Sequence, residues 1–358
     1  MIKMSVIVSE EDFLRTYETG VENFKDYLSA MSMYDTGKQI STIAKELGRN
    51  KNTVKGWCKE SKTPIIYKAL EFCWEKAWLP LTYESQIFPT TNIIASWILS
   101  GGHLNMDYNI SLSGDKEDLE QIGNEINEYI GLEPKIYKIK DNVNPIYSLH
   151  IIGKGRSWYG RIVGAMGIPR GNKTTINYNL PPYIWNANDE EKHDFLNVYL
   201  SNRSKTRRPL CITEFKDEDV REEGLEYFKQ LKKLFDEVAG TDLNVGINNE
   251  GYLNLAFDSI DSFSLLNKFD LRFCERRAEN ANKLKEELSH LKDEVKRIDD
   301  YYRVLGMNAT GENTIEINEI TGLPKTTIRR YIRGENVPEY LHLEVKLRKL
   351  METMDQVQ

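Results

Sequence analysis

Two short stretches carry side chains suited to holding phosphate and reading base edges. Residues 43–64 read IAKELGRNKNTVKGWCKESKTP and supply Lys45, Arg49, Asn50, Lys51, Asn52, Thr53, Lys55 and Lys59. Residues 317–338 read INEITGLPKTTIRRYIRGENVP and supply Lys325, Thr326, Thr327, Arg329, Arg330 and Arg333. Lysine suits phosphate as a point charge, whereas arginine and asparagine can bond guanine and adenine edges bidentately. The whole chain is acidic, with 48 Lys and Arg against 55 Asp and Glu for a net charge of −7. That balance argues weakly against a nucleic-acid partner, but DNA senses the local field rather than the total. The positive charge gathers on these two stretches.

The same stretches form a repeat. With Gly48 set against Gly322, Thr53 falls on Thr327, Val54 on Ile328, Trp57 on Tyr331 and Pro64 on Pro338, without a gap. Ile43, Ala44 and Leu47 give one short helix an apolar stripe. Gly48 supplies a turn in which positive φ costs little. Asn50 can cap a second helix that buries Val54 and Trp57. In the other copy Ile317 and Ile320 precede Gly322, and Pro324 stands near the start of a helix that buries Ile328 and Tyr331. Two short helices around a glycine turn predict a helix-turn-helix at each end. The alternative is a pair of helical hairpins that pack within the protein and touch nothing else.

Other chemistry is sparse. The four cysteines, Cys58, Cys73, Cys211 and Cys274, form no CxxC pair, so neither a zinc site nor a disulfide framework is expected. No metal, no cofactor and no catalytic residue is expected. No stretch approaches the ~18 apolar residues of a membrane span, and MIKMSVIVSEEDF lacks a signal-peptide core. The expected location is cytoplasmic and nucleoid-associated.

Residues 94–102, IASWILSGG, resemble the LAGLIDADG motif of homing endonucleases, and His103 and Leu104 continue in that family's manner. A strand over 105–113, an amphipathic helix over 115–130 and strands over 135–140 and 146–153 follow. MGIPRGNKTTINYNLPPYIWN (166–186) resembles the family's linker after the first repeat. A second copy starts near residue 190, with FLNVYLSNRS (195–204) at the end of its motif helix, a strand at 209–215, a helix over 224–238, strands in LNVGIN and YLNLAF, and a last helix over 261–269. The resemblance covers about residues 88–275 and implies an α+β fold in which two αββαββα units form a saddle.

In the nucleases that this stretch resembles, an acid near the end of each motif binds the metals that activate water. Gly101 stands at the first such position and Arg203 is read as the second; Asp107 lies at the wrong spacing. The resemblance thus implies an inactive core. A degenerate core joined to helix-turn-helix modules also resembles the WhiA family of bacterial transcription regulators, although here a module stands at each end. The expectation is a sequence-specific regulator of double-stranded DNA. The rivals are an endonuclease with displaced acids and a protein-interaction scaffold, and a small-molecule effector stays open. If the saddle touches DNA, Lys138, Lys140, Lys173, Arg207 and Arg208 are its candidates.

Residues 274–305 carry a heptad stripe of Ala281, Leu284, Leu288, Leu291, Val295, Ile298, Tyr302 and Leu305. It predicts either a long connecting helix or a coiled-coil seam that joins two copies through residues 281–305. A dimer would present four modules and favour a palindromic site. Residues 9–30 predict a helix striped by Phe13, Tyr17, Val21, Phe24 and Leu28, and residues 66–90 a helix and joint. The expected division is 1–66, helix-turn-helix; 67–87, helical linker; 88–188 and 189–272, the two repeats; 273–306, long helix; and 307–358, helix-turn-helix.

Overall fold

A computed structural model describes residues 5–140, 146–205, 210–271, 273 and 275–355. The N-terminal part runs through β1 (Val6–Val8), α1 (Glu10–Arg15), α2 (Val21–Asp35), α3 (Ile40–Glu46), α4 (Lys51–Lys59), α5 (Ile65–Glu75) and β2 (Leu81–Thr82). The stripe expected over 9–30 is split. Gly20 takes φ 87° before α2, so Phe13 and Phe24 face the central core while Tyr27 and Ala30 face the first helix-turn-helix. In the 66–90 joint, β2 follows α5 and pairs antiparallel with β1, a long-range contact that no local pattern announced.

The first repeat comprises α6 (Phe88–Ser100), β3 (His103–Leu104), β4 (Ile110–Gly114), α7 (Lys116–Glu125), β5 (Glu133–Lys140), β6 (Ile146–Ile152) and α8 (Arg156–Ala165). The second comprises α9 (Asp189–Arg203), β7 (Ser204–Lys205), β8 (Cys211–Glu214), α10 (Arg221–Ala239), β9 (Asn244–Ile247), β10 (Leu253–Ala256) and α11 (Ser259–Lys268). Both follow the expected order αββαββα. Their sheets have matching strand orders, β3-β4-β6-β5 and β7-β8-β10-β9, with every pairing antiparallel.

Helices α6 and α9 pack against each other at the centre. Of the α6 residues, all but Pro89 are buried, so its polar side chains need partners. Asn92 donates to the Glu191 carbonyl at 2.8 Å and Ser96 to that of Phe195 at 2.5 Å. These bonds tie one motif helix to the backbone of the other.

The C-terminal part contains α12 (Glu275–Glu287), α13 (Leu291–Thr310), α14 (Thr314–Thr321), α15 (Lys325–Ile332) and α16 (Glu344–Asp355). The heptad stripe is neither one helix nor a free seam. The helix breaks between Glu287 and Leu291, and Ala281, Leu284, Leu288, Leu291 and Ile298 are buried in the chain's own central core together with Leu347 and Leu350 of α16. Tyr302, the last but one residue of the stripe, is 48% exposed and bonds Glu344 on α16 at 3.0 Å. The homodimer expected through 281–305 therefore loses its seam, because the periodic face is spent within the chain.

Candidate nucleic-acid interface

The two ends form small three-helix units with equivalent cores. In the first, α2 packs on α3 and α4 around Tyr27, Ala30, Ile43, Ala44, Val54 and Trp57. In the second, α13 packs on α14 and α15 around Val304, Ile317, Ile328 and Tyr331. Ile43 and Ile317 are both fully buried, as are Val54 and Ile328, and Trp57 and Tyr331 are nearly so. Gly48 (φ 63°) and Gly322 (φ 69°) make the left-handed turns between the paired helices. The matched sequence offsets thus correspond to matched three-dimensional positions.

The outer faces hold the charge. Lys45, Lys51, Asn52, Thr53, Lys55 and Lys59 are exposed, as are Lys325, Thr326, Arg329, Arg330 and Arg333, with Thr327 half-buried. Lys55 meets Glu60 at 3.3 Å and Arg333 meets Glu335 at 3.7 Å, both exposed pairs worth little. Lys51, Lys325, Arg329 and Arg330 make no ion pair among the described residues. Two of the predicted contact residues also have structural work. The Arg49 guanidinium is 2.6 Å from Asp26 of α2, which fastens the turn to the supporting helix. The Asn50 side-chain oxygen accepts from the Asn52 backbone N–H at 2.8 Å and caps α4.

The saddle is less basic than the ends. The register places Ser111, His150 and Lys135 in one row of the first sheet, and Ser113, Ser148 and Tyr137 in the next. Lys135, Tyr137 and His150 are exposed on this face and Ser148 is buried in it, whereas Leu112, Leu149 and Ile136 point to the helices. Lys138 has the parity of Ile136 and stands opposite Tyr147, off the row of Lys135, and it is exposed. Lys135 lies in the row of His150 instead, and strict alternation through KIYKIK carries that placement. Glu133 shares its face and offsets its charge. The matching face of the second sheet offers Thr213, Asn254 and Asn244. Arg207 and Arg208 lie outside the described residues, as does the side chain of Lys140.

Lys173 is also not a free phosphate ligand. Its ammonium donates to the Ile98 carbonyl and, at 3.0 Å, to that of Leu99, the last turn of α6. It belongs to a buried cluster assembled from distant segments. Tyr178 donates to Glu214 at 2.9 Å, Lys216 lies 3.6 Å from the same carboxylate, and Arg203 lies 3.8 Å from its other oxygen. Lys216 also donates to the Lys173 carbonyl and sits 4.0 Å over the Tyr178 ring. The cluster thus gathers three cationic side chains around one carboxylate. Sequence gave no hint of it.

The geometry also corrects the second motif position. Ser100 and Ser201 occupy equivalent places, each donating to the carbonyl four residues earlier at 2.8 Å. Asn202 donates to Ser100 at 3.0 Å, and a Cβ built on Gly101 would stand 3.7 Å from that of Asn202. Gly101 is therefore matched by Asn202, one residue before Arg203. Neither matched position carries a carboxylate, the charged oxygen donor a divalent ion calls for. Asp107 lies in the exposed turn between β3 and β4.

Burial pushes the Lys173 ammonium down to about 7, helped by Arg203 and Lys216 and opposed by Glu214. A lysine so depressed binds fewer protons when folded than the unfolded chain does between pH about 7 and its ordinary 10.5. Its contribution therefore makes stability rise with pH across that window and level off below it. Lys173→Met is expected to flatten that slope in denaturant titrations repeated at several pH values. An unchanged slope would mean that Lys173 is as well solvated as a surface lysine.

No family model matches this chain. It is similar to the tRNA-splicing ligase RtcB of Pyrococcus furiosus, at 25% identity over 198 residues, and to the DNA-directed RNA polymerase subunit Rpo1N of Methanocaldococcus jannaschii, at 27% over 197. These matches cover 50% and 49% of this chain but only 20% and 14% of those proteins. Among solved structures it is similar to the homing endonuclease I-WcaI bound to its DNA recognition sequence, with TM-score 0.39 and 11% identity over 58% of this chain and 97% of that one. I-DmoI in complex with DNA and Mn gives TM-score 0.36 and 12% identity, covering 51% and 97%. Full-length DUF199/WhiA from Thermatoga maritima gives 0.35 and 12%, covering 77% and 94%.

Proposed function

We propose that this chain is a sequence-specific double-stranded DNA-binding protein of the transcription-regulator class, located at the nucleoid and built on a core that does not cut. One observation carries the reading. Each terminal module buries a matched apolar set, Ile43, Val54 and Trp57 in one and Ile317, Ile328 and Tyr331 in the other, and leaves the basic front of its second helix exposed and largely unpaired. A purely structural hairpin has no need for that arrangement. In this reading Lys45, Lys51, Lys59 and Lys325 hold phosphates, while Asn52, Arg329 and Arg330 face base edges. The reading units are α2 to α4 and α13 to α15, with the two repeats as the body between them. Lack of a carboxylate at Gly101 and Asn202, beside a cluster rich in cations, supports an inactive core.

The test is selection of bound duplexes from a random pool, followed by incubation of the selected duplexes with magnesium. Enrichment of a motif is expected, with the DNA left intact and with affinity falling steeply as salt rises. Cutting of the selected duplexes would establish an endonuclease with displaced acids. Absence of enrichment at low salt would leave the interaction scaffold.

A further inference from the structure

We infer that a single chain reads a bipartite, non-palindromic duplex, with adenine selected under α4 and guanine under α15. The inference rests on the DNA-binding reading above and adds the nature of the site.

The two modules share a core but not a reading face. With the helices matched, Lys51 falls on Lys325, Asn52 on Thr326, Lys55 on Arg329 and Gly56 on Arg330. The lysine common to both suits phosphate, and the differences lie in the residues able to choose a base. α15 presents Arg329 and Arg330, both exposed and unpaired among the described residues. Arginine forks onto the O6 and N7 of guanine. α4 contains no arginine, and the adjacent Arg49 is held by Asp26. The place of Arg330 is taken in α4 by Gly56, which is buried beside the Lys62 side chain and offers no side chain of its own. What α4 does present is Asn52. Its side chain is exposed, and only its backbone N–H is used by the Asn50 cap. A free carboxamide pairs with the N6 and N7 of adenine.

Both modules are fastened to one body. Tyr27 of the first meets Tyr67 of α5 with ring centres 5.1 Å apart, and the neighbouring Ile66 is buried in the central core. At the other end Lys346 of α16 lies 2.6 Å from both Asp258 and Asp261 of the second repeat, and Arg348 lies 2.6 Å from Asp299 of α13. The two reading helices are therefore held at a set separation. The stripe that would have joined two copies is buried within the chain. Nothing in this arrangement calls for a two-fold symmetric site.

The experiment is sequence selection with the full chain, measurement of protein-to-DNA stoichiometry by native mass spectrometry, and repetition with Asn52→Ala and with Arg329→Ala plus Arg330→Ala. Expected is one motif with two unlike halves at constant spacing, bound one to one. Asn52→Ala should flatten an adenine in one half, and the arginine variant guanines in the other, each weakening the selected duplex by about tenfold or more. All these substitutions are on exposed faces, and circular dichroism checks that the helices persist. A palindrome bound by two chains overturns the inference, as does a motif with one half only. Uniform weakening on every sequence would make the substituted residues phosphate contacts and overturn the assignment of bases. Failure to bind any duplex at low salt would instead remove the DNA-binding reading itself.

Discussion

Glu214→Ala is expected to destabilise the protein by about 3 kcal/mol, at the lower end of the range for breaking a buried ion pair. Among the described residues, Glu214 is the one carboxylate in contact with Lys216 and Arg203, and it accepts the Tyr178 hydroxyl. Its side chain is 3% exposed and that of Lys216 is 1% exposed, so water can replace little of what is lost. Two features keep the cost from the upper end. Arg203 is 32% exposed, and its charge is partly solvated. Lys173, already pushed down to about 7, can release its proton rather than stay charged without a counterion. Glu214→Gln should cost less, because the amide oxygen can still accept from Tyr178. Adding Lys216→Met to Glu214→Gln should recover part of the loss, since an apolar side chain of similar volume needs no partner. Denaturant unfolding of the three variants measures this directly. A cost below about 1 kcal/mol for Glu214→Ala would put the cluster in the class of solvent-screened pairs.

That cluster marks where sequence reasoning stops. Lys173, Tyr178, Arg203, Glu214 and Lys216 come from a linker, a helix end and a strand end, and no local pattern relates them. Lys173 read as a phosphate ligand because a lysine in a linker is normally solvated. The terminal modules were legible for the opposite reason. Ile43, Gly48, Val54 and Trp57 lie within one short segment, and their spacing is dictated by helix geometry, so the same offsets reappear at Ile317, Gly322, Ile328 and Tyr331. The αββαββα order was legible because each element carries its own period. The one-residue error at Arg203 arose because the second motif helix keeps few of the small residues that fix the register of the first. The equivalent bonds of Ser100 and Ser201 and the contact of Asn202 with Ser100 set it. The heptad stripe shows a further limit. Periodicity says that Leu284, Leu288 and Leu291 are covered, but not whether a second chain or α16 covers them.

Ile328→Ala should unfold the C-terminal module while leaving the central core folded. Removal of a buried isoleucine down to Cβ costs about 2–5 kcal/mol. The affected cluster has only Val304, Ile317, Ile328 and Tyr331 fully or nearly buried, with Tyr301, Met307, Leu323 and Ile332 packed around them. So small a unit has little stability to lose, and regions with few buried contacts open independently of the global transition. None of these residues belongs to the central core, where α6 and α9 pack. Hydrogen exchange should therefore accelerate in α14 and α15 and stay slow in α6 and α9. Lys346 and Arg348 lie on α16, beyond the failing unit, and their bonds to Asp258, Asp261 and Asp299 should hold α16 in place. If α15 is a reading helix, the same variant should still select the half-site beneath α4 and lose preference in the other half. Loss of protection throughout the chain would show that the modules and the body unfold as one unit. Unchanged selection in both halves, with α15 unfolded, would show that this helix reads no base.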